Sequence, residues 1–126
     1  MKSETEGLYL PVGKVAFMNV TESRAAGHVV VTPIGRLDSA TSSAFERQLA
    51  AIVSRGDARI VLDLGGVDYI SSVGLSAILS AAKKVKAANG RLALAGLNDR
   101  VRLVFEMSGF LRLLPVFPSV TEAVAA

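Results

Sequence analysis

The run VLDLGGVDYISSVGLSAIL over residues 61–79 changes its apolar period in mid-course. Ile60-Val61-Leu62-Asp63-Leu64 is a short β-branched and leucine run, as in a strand buried within a parallel sheet. From Leu75 the apolar positions fall at Leu75, Ile78, Leu79, Ala82 and Val85, which is the spacing of one helix face. A strand that feeds a helix this directly constrains the chain to an α/β arrangement. The junction is Ser71-Ser72. A serine placed there accepts a bond from one of the unpaired N–H groups of the first helical turn, so Ser72 is expected to cap the helix. The same N–H groups and the positive end of the helix dipole also receive a phosphate.

The same alternation runs through the rest of the chain. Residues 1–13 read as a flexible leader ending at Pro11, Val12 and Gly13, with one domain over 14–126. Strand-like sequence over 15–20 and a turn at 24–27 lead to a second strand over 28–34 that Gly35 closes. Phe45, Leu49, Ile52 and Val53 recur at helical spacing up to Gly56. After the strand at 60–64 and a helix over 72–88, Asn89-Gly90 ends that helix and residues 91–96 form a fourth strand. Asn98 or Asp99 caps a helix that Gly109 ends; a short strand over 113–117 and a helix capped by Ser119 close the chain. The order ββαβαβαβα predicts an α/β fold, a mixed and mainly parallel sheet of about five strands with helices packed on it.

Length and composition exclude several functions. A chain of 126 residues is one domain's worth. No stretch approaches the ~20 apolar residues of a membrane span, and the N-terminus has no apolar core of a secretory signal. Cysteine is absent and His28 is the only histidine, which excludes thiolate chemistry and multi-histidine metal sites. A cytoplasmic protein without a bound metal or cofactor is the expectation. Residues 83–126 hold seven basic side chains against three acidic ones. Lys83, Lys84 and Lys86 read as the solvated face of a helix; a nucleic-acid surface wants a denser basic stripe, and the five Phe and two Tyr lie mostly inside apolar runs.

No catalytic constellation survives inspection. Gly74-Leu75-Ser76 partly matches a nucleophile elbow, but the histidine precedes that serine and the spacing places Ser76 within a helix, not on the turn an elbow requires. There is no GK[ST] loop, and Gly65-Gly66 lacks the remaining glycine of a dinucleotide fingerprint. Asp38, Asp63 and Asp68 near strand ends read as turn formers, and Arg55-Gly56-Asp57 as a helix terminus. The expectation is an interaction module, not an enzyme.

The segment from Val61 to Leu75 closely resembles the signature of the STAS domain, the family named for sulfate transporters and anti-sigma-factor antagonists. Gly35-Arg36-Leu37-Asp38-Ser39-Ala40-Thr41 resembles the family's second recurrent segment, G-x-L-D-x-x-T. Leu94-Ala95-Gly96-Leu97, Val101-Arg102 and Ser108-Gly109-Phe110 resemble its closing portion. The resemblance implies a stand-alone anti-sigma factor antagonist that switches partners. Its unmodified form binds a serine kinase that is also an anti-sigma factor; phosphorylation releases the complex, and a phosphoserine phosphatase resets it. Aligned on Gly74-Leu75, the phosphorylated serine falls on Ser72, with Ser71 as the competing acceptor. Ser71 replaces the aspartate that the best-known antagonists carry there. The partner-binding residues implied are Asp38, Ser71, Ser72, Val73, Gly74 and Leu75, with Lys83 or Lys84 at the rim, and the chain is expected to act as a monomer. The alternative is an unphosphorylated STAS adaptor subunit of a membrane lipid-transport or transporter complex.

Overall fold

A two-residue turn sets the first pairing. Ala26 and Gly27 both have positive φ, 52° and 81°, the backbone that matches the twist of a hairpin's strands. The computed structural model describes residues 18–126. The leader expected at 1–13 and residues 15–17 of the first expected strand lie outside the described residues. The turn joins β1 (Asn19–Ala25) antiparallel to β2 (His28–Leu37), in register from Ala25↔His28 to Asn19↔Ile34. Strand β1 runs past the boundary at residue 20 that the apolar run suggested. It is an edge strand, so Thr21, Glu22, Ser23 and Arg24 are compatible with pairing on one side only.

The remaining pairings are parallel. Strand β3 (Arg59–Asp63) lies beside β2 through Val29↔Ile60 to Val31↔Leu62, β5 (Arg91–Ala95) beside β3, and β6 (Val116–Phe117) beside β5. The order across the sheet is β1-β2-β3-β5-β6. Helices α1 (Ser42–Ser54), α2 (Ser72–Ala87), α3 (Asp99–Ser108) and α4 (Val120–Ala125) alternate with the strands. The α/β class and mainly parallel sheet follow the sequence pattern, but the described residues hold six strands, not five. The extra one is β4 (Val67–Ile70), and the last is shorter than the 113–117 expected, because residues 113–115 turn out of the 3-10 helix Phe110–Arg112 before the chain joins the sheet.

The two faces of the sheet are unequal. Val29 and Val31 of β2, with Ile60, Leu62, Leu92 and Leu94, pack against Phe45, Leu49 and Ile52 of α1, Leu75, Ile78 and Val85 of α2, and Val101 and Phe105 of α3. Alternation turns Val30, Val61 and Ala95 to the other face, where, among the described residues, the short α4 packs on them through Ala123, with Ala25 and Phe117 beside it. Among the described residues no helix is long and apolar enough to cross a membrane.

One strand serves two neighbours. The first half of β2 pairs with β3. Its last three residues pair instead with β4: Gly35↔Val67, Arg36↔Tyr69 and Leu37↔Ile70, with a register shift between Gly35 and Arg36. Gly35 has φ 124°, a conformation open to glycine and strained for other residues. The glycine therefore does not close the strand, as its sequence suggested; it bends β2 and sends it on to Leu37 beside β4.

Candidate functional site

Register places the candidate residues together. Leu37 and Ile70 are the last paired residues of β2 and β4, so Asp38 and Ser71 leave the sheet side by side. The Ser71 N–H donates to the Leu37 carbonyl at 3.0 Å, which ties the start of α2 to the end of β2. Gly74 makes the approach possible. A Cβ at that position would lie 2.5 Å from the Leu37 carbonyl oxygen and 3.0 Å from the Leu37 side chain, so only a residue without one fits. Leu75, 5% exposed, anchors the same turn in the core.

The two serines occupy different environments. Ser71, not Ser72, is the helix cap: its backbone is extended (φ −97°, ψ 174°) and its Oγ accepts from the Gly74 N–H at 3.2 Å. The expectation that Ser72 caps the helix is therefore corrected by one residue. A cap must precede the helical dihedrals, and Ser72 is already the first helical residue. Its side chain is exposed, and among the described residues its Oγ makes no hydrogen bond. Val73 beside it is 47% exposed. Of the six implied contact residues, Ser72 and Val73 lie at the surface, and Asp38 and Ser71 are half-buried. Gly74 and Leu75 lie inside, where they hold the helix instead of offering a contact.

Asp38 organises the opposite side of the junction. Its Oδ1 accepts from the Ala40 N–H at 3.0 Å, its N–H donates to Thr41 Oγ1 at 3.0 Å, and its Oδ2 meets Arg36 Nε at 3.3 Å. Thr41 in turn donates to the Arg36 carbonyl at 2.8 Å, and the Ser42 hydroxyl donates to the Asp38 carbonyl. Partial desolvation pushes the Asp38 carboxyl up, but the Ala40 N–H, the Arg36 guanidinium and the Thr41 contact together hold it below the usual aspartate value. The group is ionised at neutral pH, and the G-R-L-D-S-A-T segment is a self-bonded turn that launches α1.

Two residues that the sequence reading did not single out complete the surface. The Arg36 guanidinium lies over the Tyr69 ring, 4.2 Å from its centroid, while its Nε holds Asp38. Tyr69 is 41% exposed and Ile34, earlier on β2, 50% exposed. Arg36 is visible in the G-x-L-D segment, but its pairing with Tyr69 is not, because residues 67–70 carry no strand pattern in the sequence. Lys83 and Lys84, expected at the rim, lie about 16–18 Å along α2 from Ser72 at 1.5 Å per residue. Lys84 pairs there with Glu46 at 3.6 Å. The other carboxylates do not converge: Asp63 Oδ1 accepts from Gly65 N–H at 3.1 Å, and Asp68 is exposed on β4. The described residues include no group of three or more acidic or histidine side chains placed to hold a metal. His28 opens β2, 2% exposed, with Nδ1 3.0 Å from the Ala26 carbonyl.

Residues 18–123, the whole of this sheet and its helices up to the middle of α4, match the family model described as the STAS domain. The chain belongs to the STAS domain family. A relative from Bordetella bronchiseptica, BtrV, named as a candidate anti-sigma factor antagonist, is 43% identical over 109 residues, 86% of this chain and 94% of that protein. Among solved structures, a candidate anti-sigma factor antagonist from Thermotoga maritima superposes with a TM-score of 0.80 at 21% identity, covering 84% of this chain and 92% of its own. The Bacillus anti-sigma factor antagonist SpoIIAA has been solved unphosphorylated and phosphorylated. Its two forms superpose at TM-scores of 0.64 and 0.66 with 19% and 20% identity, covering 86% and 84% of this chain and 93% and 96% of theirs. These structural likenesses are likenesses of fold. The STAS signature accordingly includes the close approach of Gly74 to Leu37, at the β2–β4 pairing and the first turn of α2.

Proposed function

We propose that this STAS domain is an anti-sigma factor antagonist that switches protein partners through phosphorylation of Ser72. The observation that carries the assignment is the difference between the two serines: Ser71 Oγ is occupied as a cap, while Ser72 is exposed and its Oγ has no hydrogen-bond partner among the described residues. A relative 43% identical over most of the chain is named as a candidate anti-sigma factor antagonist, which supports the antagonist part of this reading. The partners are a serine kinase that doubles as an anti-sigma factor and a phosphatase that restores the hydroxyl. The domain is their substrate and does not itself catalyse. It acts in the cytoplasm, where the kinase's ATP is available.

The chemistry follows from the surface. Ser72 Oγ attacks the γ-phosphorus of kinase-bound ATP, its proton passes to a base on the kinase, and ADP leaves. The product adds a charge of about −1.5 to −2 and three acceptor oxygens. The Ser71 cap takes the Gly74 N–H, which leaves those of Ser72 and Val73 as open donors at the positive end of the helix. The phosphate is therefore tolerated within the fold, at a gain of about 0.3–1 kcal/mol. What changes is the surface offered to a partner. Before modification Arg36 and Asp38 offset each other beside Tyr69 and Val73; afterwards the same face is anionic. An acidic partner surface is repelled, and each 1.4 kcal/mol so lost weakens the complex about tenfold.

Site-mapped mass spectrometry of the protein in its native lysate, before and after ATP addition, tests this. Phosphate on Ser72, absent in Ser72→Ala, is the expected result. Phosphate on Ser71 would overturn the assignment of the acceptor. A stable complex with no phosphate under any condition would overturn the switch and leave the adaptor reading in its place.

A further inference from the structure

We propose that the groove between the second half of α2 and residues 113–115 binds a free long-chain carboxylate, an anionic amphiphile with a single acyl tail. The groove measures about 480 Å³, within the range of small-ligand sites. Its apolar walls are Leu79, Ala82, Leu92, Leu113, Leu114 and Pro115. Leu92 and Leu114 are 4% and 7% exposed, whereas Leu113 is 60% exposed, so apolar surface continues from the interior to the mouth. A tail laid there covers leucine surface that water now touches.

The head group is specified by charge. Lys83 and Lys86 both line the groove, and at three residues apart they stand on one side of the helix. Among the described residues neither forms an ion pair. Lys84, between them in sequence, turns the other way and meets Glu46 of α1. Two ammonium groups one turn apart repel each other, and a single anion between them removes that repulsion while accepting from both. An acidic protein segment would spread its carboxylates along the groove. Here the two cations line the groove from a single turn of one helix, which matches a ligand with one head. The site lies about 16 Å along α2 from Ser72, at the helix rise of 1.5 Å per residue, and takes its ligand whether or not that serine is modified.

Titration of sodium laurate, below its micellar concentration, into the isotopically labelled full chain tests the proposal by nuclear magnetic resonance. The expected result is a saturable set of amide shifts at Leu79, Ala82, Lys83, Lys86, Leu92 and Leu113, with Arg36, Asp38 and Tyr69 unmoved. The double variant Lys83→Gln, Lys86→Gln changes only exposed side chains and keeps its dispersed spectrum. It binds about tenfold more weakly, and so does 1-dodecanol to the unaltered chain, since each loses the paired charge. Absence of saturable shifts, or shifts centred elsewhere, would overturn the site. Equal affinity for dodecanol, or indifference to the two lysines, would overturn the anionic head. Binding of an acidic peptide in the groove where laurate does not bind would replace the amphiphile with a protein partner.

Discussion

The two halves of β2 do different work. Val29, Val30 and Val31, paired with β3, are buried on both faces and contribute packing alone. Gly35, Arg36 and Leu37, paired with β4 after a register shift, are half-buried, exposed and buried in turn, and the Leu37 carbonyl ties down the Ser71–Ser72 junction. The difference teaches where a switch can be placed in such a sheet. The regular half tolerates no added charge, while the bent half ends at the surface with its carbonyl already used to fix a helix.

The comparison breaks most visibly if the regular half is not the source of stability. Phe45, fully buried over this half from α1, is the test: Phe45→Ala should cost about 3–5 kcal/mol in urea unfolding, since it deletes a large side chain from a closed core. In the bent half the most costly change is a small one. Gly74→Ala should lose about 1–3 kcal/mol, because its Cβ must displace the Leu37 carbonyl. Its amide shifts should concentrate at Leu37, Ile70 and residues 71–75. A neutral Gly74→Ala would mean that α2 does not press on β2 as described.

The serines sharpen the contrast within the bent half. Ser71→Ala should cost about 1 kcal/mol through the lost cap and leave phosphorylation in place. Ser72→Ala should stay within about 0.5 kcal/mol of the parent and abolish phosphorylation. Equal stability losses in the two variants would show that the cap is shared, and the reading of Ser72 as a free hydroxyl would fail.

The same contrast explains what the sequence disclosed. The regular half is written in β-branched runs and helical spacings, so β2, β3, β5 and the faces of α1 and α2 were legible. The bent half was legible only through motif resemblance. Strand β4, Val67-Asp68-Tyr69-Ile70, is buried at its ends and exposed at its centre, so it shows neither alternation nor an apolar run. Without β4 the Arg36–Tyr69 pair had no visible partner, and Gly35 read as a stop instead of a bend. The cap slipped by one residue because two adjacent serines satisfy the same rule; only backbone dihedrals separate them. The edge strand β1 was cut short for a different reason: an edge is compatible with polar residues, so Thr21 to Arg24 pair with β2 without showing an apolar run.

The smallest expected effect concerns the charge on Asp38. The carboxyl sits below the ordinary aspartate value of 3.8 because the Ala40 N–H, Arg36 and Thr41 outweigh its partial desolvation. A group whose folded value is depressed adds stability above its unfolded value and loses it as pH falls through the folded one. Asp38→Asn keeps an acceptor for the Ala40 N–H but removes the charge that meets Arg36. The parent should therefore exceed the variant by about 0.5 kcal/mol at neutral pH, the scale of a solvent-accessible ion pair. That margin should hold from pH 7 to about pH 5 and shrink toward zero only below 3.8. Urea unfolding of both proteins at pH 7, 5 and 3 measures it. A margin that instead disappears between pH 7 and 5 would place the carboxyl above its usual value. The turn would then be held by its backbone bonds alone, and the face beside Ser72 would carry an unbalanced Arg36 before any phosphate arrives.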